Sequence, residues 1–529
     1  MPTDCITYQK SGYYTKIIVD YLNQESDLKP LYNRFPSLDN FKNQIQEKAI
    51  NYNTAHRDVL VSALTEMYKT VDTTEIVKKN IKLLNSDTTF TITTGHQLNL
   101  FTGPLYFLYK IISTINLCKQ LEATYPTQKF VPIYWMATED HDFEEINYFN
   151  FKDKKIKWTK NSAGPVGRLA TDGLEEVFRV LESQIGGGTN ASYLKNLFKN
   201  AYLKTNTLAA ATLYLANELF KNDGLVILDA DSVELKKQMI PFFEDELLHQ
   251  SAVKTVTATN VLLNKYSIQV TPREINLFYI DTNLRERIIL ENAIYKINNT
   301  NITFSRSEII KELHQNPEKF SPNVILRPLY QEVIVPNLAY IGGGGEIAYW
   351  LQLKSTFEWH KITFPILILR NSALLISEKQ KSKIDKLPIS MPDLFLSRTA
   401  LVNKKVKELT TLSIDFSAQK AILKTQFEAL QAIALQTDAS FVGAVKAQEI
   451  KQIKGLLNLE KRLLKAEKRV HKDLLNRIID LQESLFPNES LQERNQNFSE
   501  FYIEVGPKLI ETLRKNLDPL APYFSIITV

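Results

Sequence analysis

Apolar positions recur along this chain in two alternating rhythms. Up to about Asn85, Ile18, Tyr21 and Leu22, then Leu60, Leu64 and Met67, return at threes and fours, a spacing that lines them along one helix face. The β-branched run Thr88 to Thr94 then predicts a strand, which breaks at Gly95-His96-Gln97. Gly103-Pro104 marks a turn or first helical position, Leu105 to Leu121 an amphipathic helix, and Phe130 to Trp135 the next strand. Strand, helix and strand in that order imply parallel neighbours joined by a right-handed crossover.

The theme returns further on. Leu208 to Phe220 predicts a helix, and Gly224 to Asp231 a buried strand ending in carboxylates. Ile334 to Ile341 predicts a strand that Pro336 confines to a sheet edge or a strand start. It runs into Gly342 to Gly345 and a helix from Glu346 to about His360, followed by an apolar strand from Phe364 to Arg370. Such alternation means an open, mostly parallel α/β sheet. Two stretches interrupt it: lysines alternate with Ile156 and Trp158 from about Phe151 to Arg168, and short strands mix with polar turns from about Val253 to Pro322.

After about Leu387 the texture changes. Leu456, Leu459, Leu463, Ala466, Val470, Leu474, Ile478, Leu481 and Leu485 recur at threes and fours beside many lysines and arginines, and Ile422 to Leu435 repeats the pattern. Two long helices parted near Thr437-Asp438 predict an antiparallel coiled coil. The expected division is a core over residues 1–386, with insertions at about 151–200 and 253–322. A helical coiled-coil region over 387–529 follows, its tail returning to the core.

Composition narrows the functional classes. With 529 residues, 44% hydrophobic and 23% charged, the chain reads as a globular protein of more than one unit. A net charge of +5 over that length permits anionic ligands such as nucleotides without arguing for nucleic acid. Cys5 and Cys118 are the only cysteines, so no disulfide framework or cysteine metal site is expected, and Cys118 reads as a core thiol. No apolar run approaches the roughly 20 residues of a membrane helix, and the start carries no signal pattern. The expected compartment is the cytoplasm.

Three turns carry chemistry. Gly95-His96-Gln97 sits where a parallel strand gives way to a helix, the place where ligands bind in open α/β sheets; His96 there can donate to, or exchange a proton with, a phosphate or carboxylate. Glu139-Asp140-His141-Asp142-Phe143-Glu144-Glu145 packs five carboxylates and an imidazole at the mouth of the next strand. Were the strand continued, Asp140 and Asp142 would point one way and Glu139 and His141 the other. The cluster can hold a divalent cation, or orient an amine or sugar hydroxyls. Gly342, Gly343, Gly344 and Gly345 let backbone N–H groups approach an anion, though they match neither common phosphate-loop pattern. Arg327 and Arg370-Asn371-Ser372 flank further apolar runs and offer partners for carboxylates or phosphates. Lys379 to Lys383 faintly resembles a lysine-rich loop placed over ATP, although most such runs are helix surface.

Taken together, Thr94-Gly95-His96-Gln97, Leu100-Phe101-Thr102-Gly103-Pro104-Leu105-Tyr106 and Trp135 with Glu139 to Glu145 resemble the bacillithiol biosynthesis cysteine-adding enzyme family. Arg327 to Gln331, Ala339 to Gly343, Glu346 to Trp350, Arg370 to Ser372 and Leu517 to Leu520 agree with it, so the resemblance spans nearly the whole chain. It implies a ligase joining L-cysteine to glucosaminyl malate. It also implies a Rossmann-like, nucleotidyltransferase-like core with two insertions, a coiled coil that can dimerise, and nucleotide binding near it. Amide formation needs an activated carboxylate, and ATP is the expected source. The expected site has His96, Asp140, His141 and Asp142 in catalysis. Gly95, Gln97, Glu139, Glu144, Arg327, Tyr340, Arg370 and Asn371 are expected at the substrates, and Gly342, Gly343, Gly344 and Gly345 at the nucleotide. No metal ligand is assigned, though a divalent cation is compatible. The rivals are a metal-dependent hydrolase of a sugar or phosphate substrate, and a non-enzymatic nucleotide-binding scaffold.

Overall fold

The computed structural model describes residues 4–529. At its centre lie five parallel strands, β1 (Thr89–His96), β2 (Lys129–Met136), β3 (Val226–Asp229), β4 (Asn337–Gly342) and β5 (Ile366–Leu369). Their order is β5-β4-β1-β2-β3. Almost every residue in them is buried, which is why they read as unbroken apolar or β-branched runs. The chain moves outward from β1 to β2 and β3, then crosses to β4 and β5 on the other side. The reversal falls between β1 and β4, and the crevice beyond the carboxyl ends of such a pair is where doubly wound sheets bind ligands.

Helix α1 (Tyr106–Thr124) makes the crossover from β1 to β2 and buries Phe107, Leu108, Ile111, Ile112 and Ile115. Helix α2 (Leu208–Phe220) precedes β3, α3 (Arg327–Ile334) precedes β4, and α4 (Gly344–Trp350) follows it. The second insertion forms a five-stranded antiparallel sheet between Leu277 and Pro322, which stands over the carboxyl ends of the core strands. The first is β only in the hairpin of Tyr148–Phe151 with Lys154–Lys157; helices Leu174–Ile185 and Thr189–Phe198 fill the rest.

Several boundaries differ from the sequence expectation. β1 does not break at Gly95 but pairs with β2 through His96, opposite Met136. Ile334 ends a helix, and β4 begins only at Asn337. β4 is paired on both sides, so Pro336 marks a strand start and not an edge; lacking an N–H, it serves the sheet by accepting from Thr91 N at 3.0 Å. The helix expected from Glu346 to His360 is two, α4 and Lys354–Trp359, and Gly344 and Gly345 form the first turn of α4. Lys379 to Lys383 lies within the helix Glu378–Lys386 and does not line the cleft described below.

In the C-terminal region α5 (Ser417–Ala434) and α6 (Ala439–Val470) pack antiparallel around Phe427, Ala434 and Val445. Contacts between Gln431 and Glu449 and between Lys420 and Glu460 fix the register. The turn is set by Asp438, whose carboxylate accepts from Ser440 N and Phe441 N as an N-cap. Helix α7 (Lys472–Leu485) carries the chain back, sinking Ile478, Leu481 and Leu485 into the main core. After α8 (Gln492–Asn495), the final strand Tyr523–Thr528 lies between Asp4–Thr7 and Ala373–Ile376, so both chain ends join one small sheet. Among the described residues no helix is long and apolar enough to cross a membrane.

Candidate active site

The carboxyl ends of β1, β2 and β4 open into a cleft of about 1020 Å³ roofed by the second insertion. Gly95-His96-Gln97, Trp135 to His141 and Gly343 to Glu346 all line it. These three turns, far apart in sequence, come together because they end neighbouring strands.

The floor is organised by Lys110, a buried lysine on α1. Its Nζ donates to Gly95 O at 2.7 Å and lies 2.5 Å from Glu346 Oε2. Burial pushes the Lys110 ammonium down, offset in part by Glu346. Burial pushes the Glu346 carboxyl up, but Lys110, the Tyr340 hydroxyl (2.6 Å) and Gly343 N–H (2.8 Å) outweigh it and hold it below its ordinary value. A Cβ on Gly95 would lie 3.0 Å from Tyr340 Oη, so a side chain there would press on the hydroxyl that Glu346 holds. The glycine run differs from its expected cradle. Glu346 already takes the Gly343 N–H, and Gly342 is not a lining residue. A Cβ on Gly342 would lie 2.9 Å from Glu346 Cβ, so this glycine serves the tight strand-to-helix turn.

His96 is 7% exposed, with its ring edge-on to Tyr106 and tilted against Phe107. Burial, then the charges of Lys110 and Arg370, push its pKa well below the ordinary value, so the ring is neutral near pH 7. Its buried Nε2 has no hydrogen-bond partner, leaving it able to serve a ligand.

The acidic segment is not strand-like, because β2 ends at Met136. A turn follows, held by Gly167 N on Thr138 O (2.8 Å) and Val166 N on Asp140 O (2.7 Å). The expected two-and-two alternation is therefore replaced by four separate fates. Glu139 turns inward to the fully buried Lys236, and burial still pushes its pKa up. Asp140 accepts from Gln97 Nε2 at 2.9 Å; burial pushes its carboxyl up, but His141, Gln97 and the charge of Arg285 hold it well below the carboxylate range. His141 Nδ1 meets Arg285 Nη1 at 2.6 Å. Asp142 and Glu144 are exposed and lie outside the cleft, Glu144 pairing with Lys157 at 2.8 Å. Among the described residues no three His, Cys, Asp or Glu side chains are grouped to hold a metal ion. Within this segment Glu139 pairs with Lys236 and Glu144 with Lys157, while Asp140 and Glu145 share the Gln97 amide.

Beneath it, Asp229 accepts from Thr138 Oγ1 (2.5 Å) and Asp231 N (2.9 Å), and Arg168 grips Asp231 with two bonds. Burial and the neighbouring Asp231 push the Asp229 carboxyl up to about 6.

Cations dominate the lining, with seven lysine and arginine residues against four carboxylates. Arg327 lies over the rings of Trp135 and Tyr340, its Nη1 bonded to Gln331 and its Nη2 without a partner. Arg370 lines the cleft but is tied to Glu493 at 2.6 Å. Asn371, expected at the substrate, faces away. It donates to Asp518 O and accepts from Ser113, locking the C-terminal tail onto α1. Sequence reading missed Lys110, Arg285 and Arg494. Lys110 alone left a signal, a charge inside an otherwise apolar helix stretch; the other two sit in polar contexts that give none.

Fold and cleft together define a Rossmann-like α/β protein with a cation-rich cleft at its switch point. Comparison with known families makes this specific. Residues 1–371 match the model described as bacillithiol biosynthesis BshC, N-terminal Rossmann-like domain. Residues 373–529 match the one described as bacillithiol biosynthesis BshC, C-terminal coiled-coil domain. The chain belongs to the BshC family of bacillithiol biosynthesis. It is 62% identical to a protein of Flavobacterium psychrophilum, over 100% of this chain and 99% of that one. It is 59% identical to one of Flavobacterium johnsoniae over 100% of both chains. With one of Christiangramia forsetii it shares 53% identity over 100% of this chain and 99% of that one. All three bear the name "Putative cysteine ligase BshC".

Proposed function

We propose that the protein is a cysteine ligase, joining the carboxyl group of L-cysteine to the amine of glucosaminyl malate to give bacillithiol. The observation that carries the reading is the cleft itself. One volume at the switch point holds an ionised carboxylate, Asp140, suited to an ammonium, and a surplus of guanidinium and ammonium groups suited to carboxylates and phosphates. Its size accommodates more than one small substrate. Relatives over the full chain length carry the cysteine ligase name.

Amide formation requires an activated carboxylate; with ATP as the source, the cysteine carboxylate attacks a phosphorus of ATP, expelling pyrophosphate or ADP. The sugar amine then attacks the acyl carbon, expelling AMP or phosphate and losing a proton. Arg327 supplies charge for the phosphates or carboxylates, and Asp140 orients the amine. His96, neutral with a free Nε2, is the group suited to take a proton or donate a hydrogen bond. The glycines 343–345 give the ligand a close approach to backbone. The reaction belongs in the cytoplasm, where ATP and free cysteine are available.

The test is incubation of the purified protein with cysteine, glucosaminyl malate and ATP, with mass detection of every product. Bacillithiol formed only when all three are present supports the ligase; its absence, or hydrolysis of the sugar compound without ATP, sinks it. The coiled coil also exposes Ile422, Ile433, Leu435, Phe441, Ile450 and Leu459, an apolar surface that a second copy would cover as a homodimer. Sedimentation equilibrium checks this: a single species of 60.8 kDa counts against it.

A further inference from the structure

The residues that follow the coiled coil return to the cleft, and one of them brings a guanidinium that the protein itself leaves unused. The segment is firmly seated. The Gln492 side-chain amide imitates strand pairing on Leu375, accepting from its N–H at 2.9 Å and donating to its carbonyl at 3.0 Å. Glu493, fully buried, accepts from Arg370 Nη2 (2.6 Å), Ser372 Oγ (3.1 Å) and Ala373 N (3.2 Å). Beyond it, Gln496 O accepts from Leu105 N at 2.9 Å, and Asn497 Nδ2 donates to Phe101 O (2.8 Å) and Gly103 O (2.6 Å). These bonds join the segment to the loop that launches α1 and to the turn after β5, both of which bear cleft residues.

Arg494 stands between these anchors. It is exposed, lines the cleft, and among the described residues its side chain has no hydrogen-bond or ion-pair partner. It lies close enough to Tyr14 and Tyr106 for its charge to favour their ionised forms. A free arginine on open surface is ordinary. This one is held over a cleft where a second guanidinium, that of Arg327, also keeps a buried Nη2 without a partner. The open guanidinium of Arg494 and the free Nη2 of Arg327, lining one cleft, match an anion bound by charge-assisted hydrogen bonds.

We infer that Arg494 is a substrate-binding residue, supplied by the C-terminal region, that pairs with a carboxylate or phosphate of the molecule in the cleft. The inference deepens the ligase reading, and rests on it for the identity of the substrates but not for the presence of an anion.

The test is titration calorimetry on the full-length protein with three probes, L-malate, inorganic pyrophosphate and ATP. Wild type is compared with Arg494→Ala and Arg494→Lys. The alanine variant is expected to bind at least one probe about tenfold or more weakly, the lysine variant to fall between, and thermal unfolding to stay unchanged. Weakening confined to malate assigns the carboxylate; weakening of pyrophosphate and ATP assigns the phosphate. Wild-type affinity for all three probes in the alanine variant overturns the inference, and so does a wild type that binds none of them. A wild type that binds anions but forms no bacillithiol sinks the ligase reading instead, and leaves Arg494 to be judged by its affinities.

Discussion

Lys110 Nζ sits 2.5 Å from Glu346 Oε2 and 2.7 Å from Gly95 O, so one buried ammonium joins α1, the end of β1 and the start of α4. The pair fixes the two turns that sequence alone could only place near each other. Removing Lys110 would leave Glu346 without its countercharge at the cleft floor. Lys110→Met is expected to destabilise toward the lower end of about 3–5 kcal/mol, since Glu346 keeps 25% of its side chain exposed. The double variant with Glu346→Gln should recover part of that loss. Urea unfolding measures both; a loss under about 1 kcal/mol in the single variant would show that the pair contributes little.

His96 gives a pH dependence with a definite sign. Its folded pKa lies well below the ordinary 6.5, so the unfolded chain takes up a proton that the folded site refuses. The contribution is fully present above about pH 6.5 and is lost as pH falls through that value, at up to about 1.4 kcal/mol per pH unit. Unfolding of wild type and His96→Gln between pH 7.5 and 5 should diverge accordingly. Parallel curves would mean that the imidazole is not shielded. In the ligase assay His96→Ala is expected to lose product formation while keeping its fold.

Asp229 runs the other way. Burial and Asp231 raise its carboxyl to about 6, above its unfolded value, so its favourable contribution is present at low pH and lost as pH rises through about 6. Asp229→Asn keeps an oxygen for Thr138 Oγ1 and Asp231 N–H while removing the charge. At pH 8 the variant is expected to be more stable than wild type, by up to about 3 kcal/mol. At pH 4.5 the advantage should shrink. A variant less stable at both pH values would contradict the assignment.

Gly167 controls the acidic turn from outside it. A Cβ there would lie 2.6 Å from Thr138 Cβ and 2.9 Å from Thr138 O, so the turn must move. Gly167→Ala is expected to cost about 1–3 kcal/mol and to reduce activity by displacing Glu139 and Asp140. A thermal melt and the product assay together check it. Full activity would show that the turn tolerates displacement.

Much of the sheet was legible because parallel strands buried on both faces leave unbroken apolar runs, as in Phe130 to Trp135 and Phe364 to Leu369. Where the reading slipped, local signals conflicted with distant partners. Ile334 and Val335 carry strand composition, yet Arg327 to Ile334 is helical and packs Leu329, Tyr330 and Val333 into the core. The acidic segment was found but its geometry was not, because Gly167 and Val166 hold it from 25 or more residues away. Asn371 fits the pattern of a ligand residue, and only Asp518 and Ser113 show that it fastens the tail instead.

By itself the sequence determined the strand and helix order, the coiled coil, and the three turns at which chemistry gathers. These depend on side-chain periodicity and on backbone preferences, which are local. Only the tertiary structure decided which charges are free to meet a ligand. Arg370 is neutralised by Glu493 at a separation of 123 residues, while Arg494, the next residue along from Glu493, is left open. A charge is available or spent according to what lies within a few ångströms, and folding sets those neighbours without regard to distance along the chain.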